Sequence, residues 1–202
     1  MRLPRSVCVK VTLSVQLLNI PEVMLLQPTK HDDGRGFVSE TYNKFSLREA
    51  GIEVDFVQDN HVLSVQRGTV RGLHFQIFPF AQDKLVRVVR GAIFDVAVDI
   101  RVGSPTYGQH VSARISADNW SQIFIPIGFA HGLVTLEQNT EVIYKVSNRY
   151  SVEHDKGLLW SDPALGIDWP GADVILSEKD RQQPKLADLP AYFSYGVLGE
   201  PS

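Results

Sequence analysis

The sequence predicts a mainly β protein, an antiparallel sandwich or jelly roll with a few short helices. Three observations predict it. Nine short runs are rich in Val, Ile and Phe, side chains that suit a pleated, half-buried surface. Glycine and proline punctuate those runs at close spacing. No helical stretches alternate with them to carry parallel crossovers.

In chain order the strand-like runs are 54–57, 62–66, 69–76, 85–89, 92–100, 108–115, 121–125, 132–135 and 140–146. Breaks fall at Arg67-Gly68, Arg90-Gly91, Gly103-Ser104-Pro105, Pro126-Ile127-Gly128 and Asp162-Pro163. One helix is expected over 44–51, with Ser46 as N-cap, Glu49 three residues on and Gly51 as the stop. A second is expected after Ser177, ended by Pro184. The alternation of Val7, Val9, Val11, Leu13 and Val15 reads as a strand, because Lys10, Thr12, Ser14 and Gln16 interrupt any signal-peptide core. With no linker, low-complexity segment or internal repeat in the chain, 20–202 is read as one domain and 1–19 as an N-terminal extension or strand of uncertain role.

With 202 residues, 44% hydrophobic and 21% charged, the chain has the makings of one sizeable core. A net charge of −3 supplies no basic field for nucleic acid. No run approaches the length of a membrane span. A single cysteine, Cys8, excludes an internal disulfide framework and a cysteine zinc site, and suits a reducing cytoplasm.

The stretch from Val70 to Arg87 carries the most chemistry. His74 lies in one strand-like run and Lys84 opens the next. A base and a cation on paired strands suit carbon-acid chemistry, in which the base takes a proton and the cation stabilises the enolate. The alternative is a hydrogen-bonded structural histidine and a strand-end lysine. Strand parity places His74 and Gln76 on one face and Arg71 on the other. If Arg71 and His74 serve one pocket, a bulge near Gly72 must break that parity. Val142, Tyr144 and Val146 share a core-directed face, with Glu141, Ile143 and Lys145 turned to solvent. Among six histidines there is no His-x-His, and Gln76 stands where a metal-binding strand would carry its second histidine. Taken singly, His131 and Tyr144 read as structural, and Asp180 as a helix-start acid.

An ordered set of segments spans about 20–186. It includes Asp33-Gly-Arg35-Gly-Phe37 with Glu40, Gln58-Asp-Asn60-His61, Arg71-Gly-Leu-His74-Phe-Gln76 and Gln82-Asp-Lys84. It continues with Phe94-Asp95, Ile125-Pro-Ile-Gly-Phe-Ala-His131-Gly, Tyr144-Lys145, Trp160-Ser-Asp162-Pro163 and Leu176-Ser-Glu-Lys-Asp180. This set resembles the dTDP-4-dehydrorhamnose 3,5-epimerase family, whose fold is a cupin jelly roll. The resemblance implies an isomerase acting on a dTDP-4-keto-6-deoxyhexose, with no cofactor and no metal. It implies His74 as base, Asp180 as its partner, Lys84 at the enolate oxygen and Tyr144 as the opposing proton donor. It further implies that Arg35 and Arg71 hold the diphosphate. Phe37, Glu40, Gln58, Asn60 and His131 become substrate contacts, and Tyr150 stacks on thymine. Lys179 and an acid from Glu153 or Asp155 contact the periphery. It implies a homodimer with exchanged N-terminal strands, so that Arg35 or Glu40 serves the neighbour's site.

The chain departs from the family at Val62, where a serine is usual, and at Phe75, where a tyrosine is common. The stretch Asn148-Arg149-Tyr150-Ser-Val lacks a second tyrosine and a proline. These departures leave open an epimerase that inverts C3 or C5 alone. A non-catalytic sugar-nucleotide-binding cupin and a metal-dependent cupin oxygenase are the readings from other classes.

Overall fold

Alternating apolar side chains give two sheets that close on a shared core. The structure, a computed structural model, describes residues 13–171 and 173–196. Its first strands are β1 (Leu13–Leu17), β2 (Met24–Pro28), β3 (Lys30–Asp33), β4 (Gly36–Ser39) and β5 (Gln58–Ser64). Then come β6 (Val70–Gln76), β7 (Lys84–Arg90), β8 (Ala92–Asp99), β9 (Arg101–Val102) and β10 (His110–Ser116). The last are β11 (Gln122–Ile125), β12 (Phe129–Thr135), β13 (Thr140–Val146), β14 (Asp155–Gly157) and β15 (Phe193–Ser194). A six-stranded sheet has the order β1-β2-β11-β7-β13-β5, and a five-stranded sheet the order β10-β8-β12-β6-β14. Both are antiparallel throughout. This is the expected mainly β architecture.

Between the sheets, Val86, Val88 and Val142 of one meet Ile93, Ala97, Val111, Ile115 and Leu133 of the other. Each of these Val, Ile and Leu side chains contributes about 1.5–3 kcal/mol by leaving water. The opposite parity of β6 and β8 sends Leu73, Phe75, Val96 and Val98 to the far side of the five-stranded sheet, where Leu158, Leu165 and Phe193 cover them. Helix α1 (Lys44–Glu49) covers Leu26, Leu85 and Phe124 behind the six-stranded sheet through Leu47.

Several expected bounds move. The N-cap of α1 is Asn43, whose side chain accepts from the Phe45 and Ser46 N–H groups, so Ser46 lies inside the helix. Gly51 stops it at φ +83°. Residues 54–57 form no strand except for lead-in pairing at Val57, because the strand proper begins at Gln58. The polar Gln58-Asp59-Asn60 start disguised β5 in the sequence. Strands β2, β3, β4 and β14 were also unmarked, β3 being charged and β14 only three residues long. Helix α2 (Glu178–Arg181) follows Ser177 as expected, with the Ser177 side chain as its cap, and ends at Arg181, short of Pro184. Of the expected N-terminal strand, Leu13 and Val15 lie in β1, while Val7, Val9 and Val11 lie outside the described residues.

Candidate active site

The parity problem at Arg71 and His74 is solved by a bulge. His74 pairs with His131, but Arg71 pairs with Leu133, so two residues of β6 oppose the single Gly132 of β12. Gly72 sits at the bulge with φ +118°. A Cβ there would meet the Gly132 Cα and the His131 carbonyl at 2.6 Å. Arg71 and His74 therefore line one cavity of about 440 Å3 between the sheets, together with Lys84, His131, Tyr144 and Asp180. That volume suits a small-molecule ligand such as a hexose.

Asp180 reaches His74 from 106 residues away. An isolated bridge between Thr69 and Ile175 pins the returning chain beside β6. The Ser177 hydroxyl then caps α2 by accepting from the Asp180 N–H at 3.1 Å. His74 Nε2 lies 2.5 Å from Asp180 Oδ1, whose side chain is only 4% exposed. Burial pushes the Asp180 carboxyl up, but the bond and charge of His74, the Ser177 hydroxyl and the Gly72 N–H outweigh it. The net position is below the ordinary carboxylate range. Because a carboxylate only accepts, Nε2 carries the proton and Nδ1 is left for the cavity.

Lys84 opens β7, and its Nζ donates to the His74 carbonyl at 3.2 Å. Burial lowers its pKa to about 8, against the pull of Asp155 and Asp95. Tyr144 projects from the core-directed face of β13, as expected, and packs against the central core. Burial raises its pKa, Arg71 opposes this and Asp155 adds to it, so the phenol stays protonated at neutral pH. Among the described residues no group hydrogen-bonds its hydroxyl. The opposite face is not simply solvent-directed: Ile143 and Lys145 are half-buried in a shallow outer cleft with Arg87 and Tyr42.

A side recess shares His74, Lys84 and Tyr144 with the cavity and adds Gln58, Asn60, Tyr150 and Asp155. Gln58 donates to Asn60 at 2.9 Å. Asp155 Oδ2 accepts from both the Tyr150 hydroxyl at 2.9 Å and Lys179 Nζ at 2.5 Å. Glu153 is exposed and lines neither space, so Asp155 is the acid of that pair facing the recess. Gln76 is a structural latch, bonding the carbonyls of Phe80 and Arg149 and the Ser151 N–H. Arg35, Phe37 and Glu40 are not brought to the cavity of their own chain. Arg35 is 91% exposed on the β3–β4 hairpin, bound to Asp33, and Phe37 packs edge-on to Trp120.

The sequence reading missed the apolar wall made by Val70, Val86, Leu133 and Val142, and the loop residues Ile175 and Leu176. It also gave Asp95 no role. Asp95 is fully buried and lies 2.9 Å from His131 Nε2. Its signal was visible as a lone acid at 93–98 among apolar neighbours on both parities. Among the described residues, no group of three or more His, Cys, Asp or Glu is placed to hold a metal ion, and no helix is long and apolar enough to cross a membrane.

A base, a cation and a protonated phenol around one cavity can move protons at carbon next to a carbonyl. Known proteins agree with that chemistry. A family model described as dTDP-4-dehydrorhamnose 3,5-epimerase matches residues 17–188. The dTDP-4-dehydrorhamnose 3,5-epimerase of Sinorhizobium fredii is 56% identical over 89% of this chain and 93% of its own. That of Pseudomonas aeruginosa is 51% identical over 87% of this chain and 97% of its own. A crystal structure of dTDP-6-deoxy-D-glucose-3,5-epimerase from Legionella pneumophila, in complex with dTDP-4-keto-L-rhamnose, superposes with a TM-score of 0.88. It is 40% identical and covers 92% of this chain and all of that one.

Proposed function

The chain belongs to the dTDP-4-dehydrorhamnose 3,5-epimerase family, and from that premise we infer that it is an isomerase inverting C3 and C5 of dTDP-4-keto-6-deoxy-D-glucose. The product is dTDP-4-keto-L-rhamnose. Convergence of His74, Lys84, Tyr144 and Asp180 on one cavity carries this reading. The C4 ketone acidifies the hydrogens on both neighbouring carbons. His74 removes the proton through Nδ1 while Asp180 holds its Nε2–H. The ammonium of Lys84 meets the negative charge that develops on the C4 oxygen. Tyr144 returns a proton from the other face of the ring, and its raised pKa supports its role as donor.

Arg71 binds the diphosphate at the cavity rim, where its forked guanidinium suits phosphate oxygens. Gln58, Asn60, Tyr150 and Asp155 line the path of the nucleotide, with Lys179 bound to Asp155 at its periphery and Tyr150 offering its 55% exposed ring to thymine. Arg35, Phe37 and Glu40 serve the second subunit of a homodimer. The exposure of the hairpin and the absence of its residues from the lining of their own chain's cavity support that assignment. A one-to-one mixture of Arg35→Ala and His74→Ala subunits, after exchange, then regains about a quarter of wild-type activity, since half the dimers hold one intact site. No recovery refutes the shared site. Residues 20–202 act as one domain, supported by the core the two sheets share. The enzyme works in the cytoplasm, where nucleotide sugars are made.

Incubation with the keto sugar in heavy water tests the reaction. Deuterium at C3 and C5, lost in His74→Ala, is the expected result. Label at one carbon alone indicates a single-position epimerase. No label, with binding intact, refutes the assignment.

A further inference from the structure

His131 and His74 are direct partners across the antiparallel pairing of β12 and β6. Each turns Nε2 toward a buried carboxylate. For His131 that carboxylate is Asp95, on β8 at the other side of β12, where its backbone pairs with Leu133. The contact is 2.9 Å, and Asp95 has no exposed surface. Its Oδ1 is buried and makes no hydrogen bond among the described residues. Burying a carboxylate with one oxygen unused is costly, and an apolar residue there would pack on the same face as Ile93 and Ala97 at no such cost. The strand from Ala92 to Val98 is otherwise built that way: Ile93, Val96, Ala97 and Val98 are all fully buried, and the other buried acid of β8, Asp99 at its end, is bonded by Arg101, Ser104 and Thr106.

Resting on the epimerase reading, we propose that Asp95 is a positioning residue for the reaction, holding His131 by Nε2 so that Nδ1 faces the sugar, and setting a fixed negative charge beneath His131 and Lys84. With Nε2–H committed to Asp95, Nδ1 accepts from the substrate when the ring is neutral and donates to it when the ring is charged. A hydrogen bond to the C4 enolate oxygen therefore comes from an imidazolium whose charge Asp95 balances. The cavity thus holds two carboxylate-backed imidazoles side by side. One is the base, and the other joins Lys84 at the oxygen. Asp95 also works against the burial that depresses Lys84.

Asp95→Asn keeps the volume and removes the charge. The expected loss in kcat is about 10²-fold, with KM moving less than about threefold. The alkaline limb of kcat/KM moves to lower pH, since Lys84 loses one of the groups that hold its pKa up at about 8. On the acid side of the alkaline limb, where Lys84 stays charged, the same change in a His131→Ala background costs less than about threefold in kcat, because that part of the effect runs through the His131 ring. Unchanged kcat and an unmoved alkaline limb overturn the proposal. Should Asp95→Asn fail to fold, nitrogen-15 NMR of the wild-type protein decides. A proton on His131 Nε2 supports the proposal, and a bare Nε2 overturns it. Wild-type protein that exchanges no deuterium strikes the epimerase reading instead, and the NMR result stands apart from it.

Discussion

Replacing Lys84 by methionine should trade activity for stability, with a pH signature. The ammonium sits where burial lowers its pKa from 10.5 to about 8. Its folded pKa is thus below its unfolded value, so the folded state disfavours the charged form. Between about pH 8 and 10.5 the unfolded chain binds the extra proton, and stability rises with pH across that window. Below pH 8 the penalty is fully present. A shift of that size corresponds to about 3.4 kcal/mol at 1.36 kcal/mol per unit. Between pH 7 and 9.5, linkage recovers about 2 kcal/mol of it, and water at the cavity mouth trims this to about 1–2 kcal/mol. Lys84→Met keeps the stem and carries no charge, so its stability relative to wild type should be about 1–2 kcal/mol more favourable at pH 7 than at pH 9.5. Urea denaturation of both proteins at both pH values measures this, and other titrating groups cancel in the difference. The same variant should lose about 10²–10³-fold in kcat/KM, as expected for removing a group aimed at developing charge. A relative stability that does not change with pH would refute the buried-ammonium argument. Retained activity would refute its role at the enolate.

Other perturbations separate the remaining parts of the site. Asp180→Asn should cost about 1.5–3 kcal/mol at pH 7, as a lost charged hydrogen bond does. The lowered pKa of Asp180 means its stabilisation is present above the unfolded value of 3.8 and fades as pH falls through the folded one, so the deficit should shrink in acid unfolding curves as pH drops below 3.8. A deficit constant down to pH 2 would count against the pair. Tyr144→Phe should change stability by less than about 1 kcal/mol, since no group among the described residues bonds the hydroxyl. It should still wash deuterium into recovered substrate while epimerised product falls at least about 10²-fold by NMR. Gly72→Ala forces a side chain into a left-handed backbone and onto β12, a combined cost of about 2–5 kcal/mol in urea denaturation. A loss under about 1 kcal/mol would mean the bulge relaxes freely.

What was legible in the sequence follows from how far each feature depends on local chemistry. Strand β13 was readable to the residue, because alternating Val142, Tyr144 and Val146 need only a sheet and a core. Strand β5 was not, because its first residues serve a polar recess and carry no apolar period. The Asn43 cap was missed because a serine with a glutamate three residues on imitates the same signal one turn later. The bulge at Gly72 could be stated as a condition on Arg71 and His74. Only the pairing register, set by β12, shows that it is met. Asp180 could be tied to His74 through resemblance alone, since what brings it there is a backbone bridge at Ile175 and a four-residue helix, neither with a strong local signature. Asp95 is the instructive case. A charged side chain within a run that is apolar on both faces contradicts the burial pattern around it. Such a contradiction persists at a structural cost, so it points to chemistry more sharply than the exposed charge at Arg90, which the fold tolerates freely.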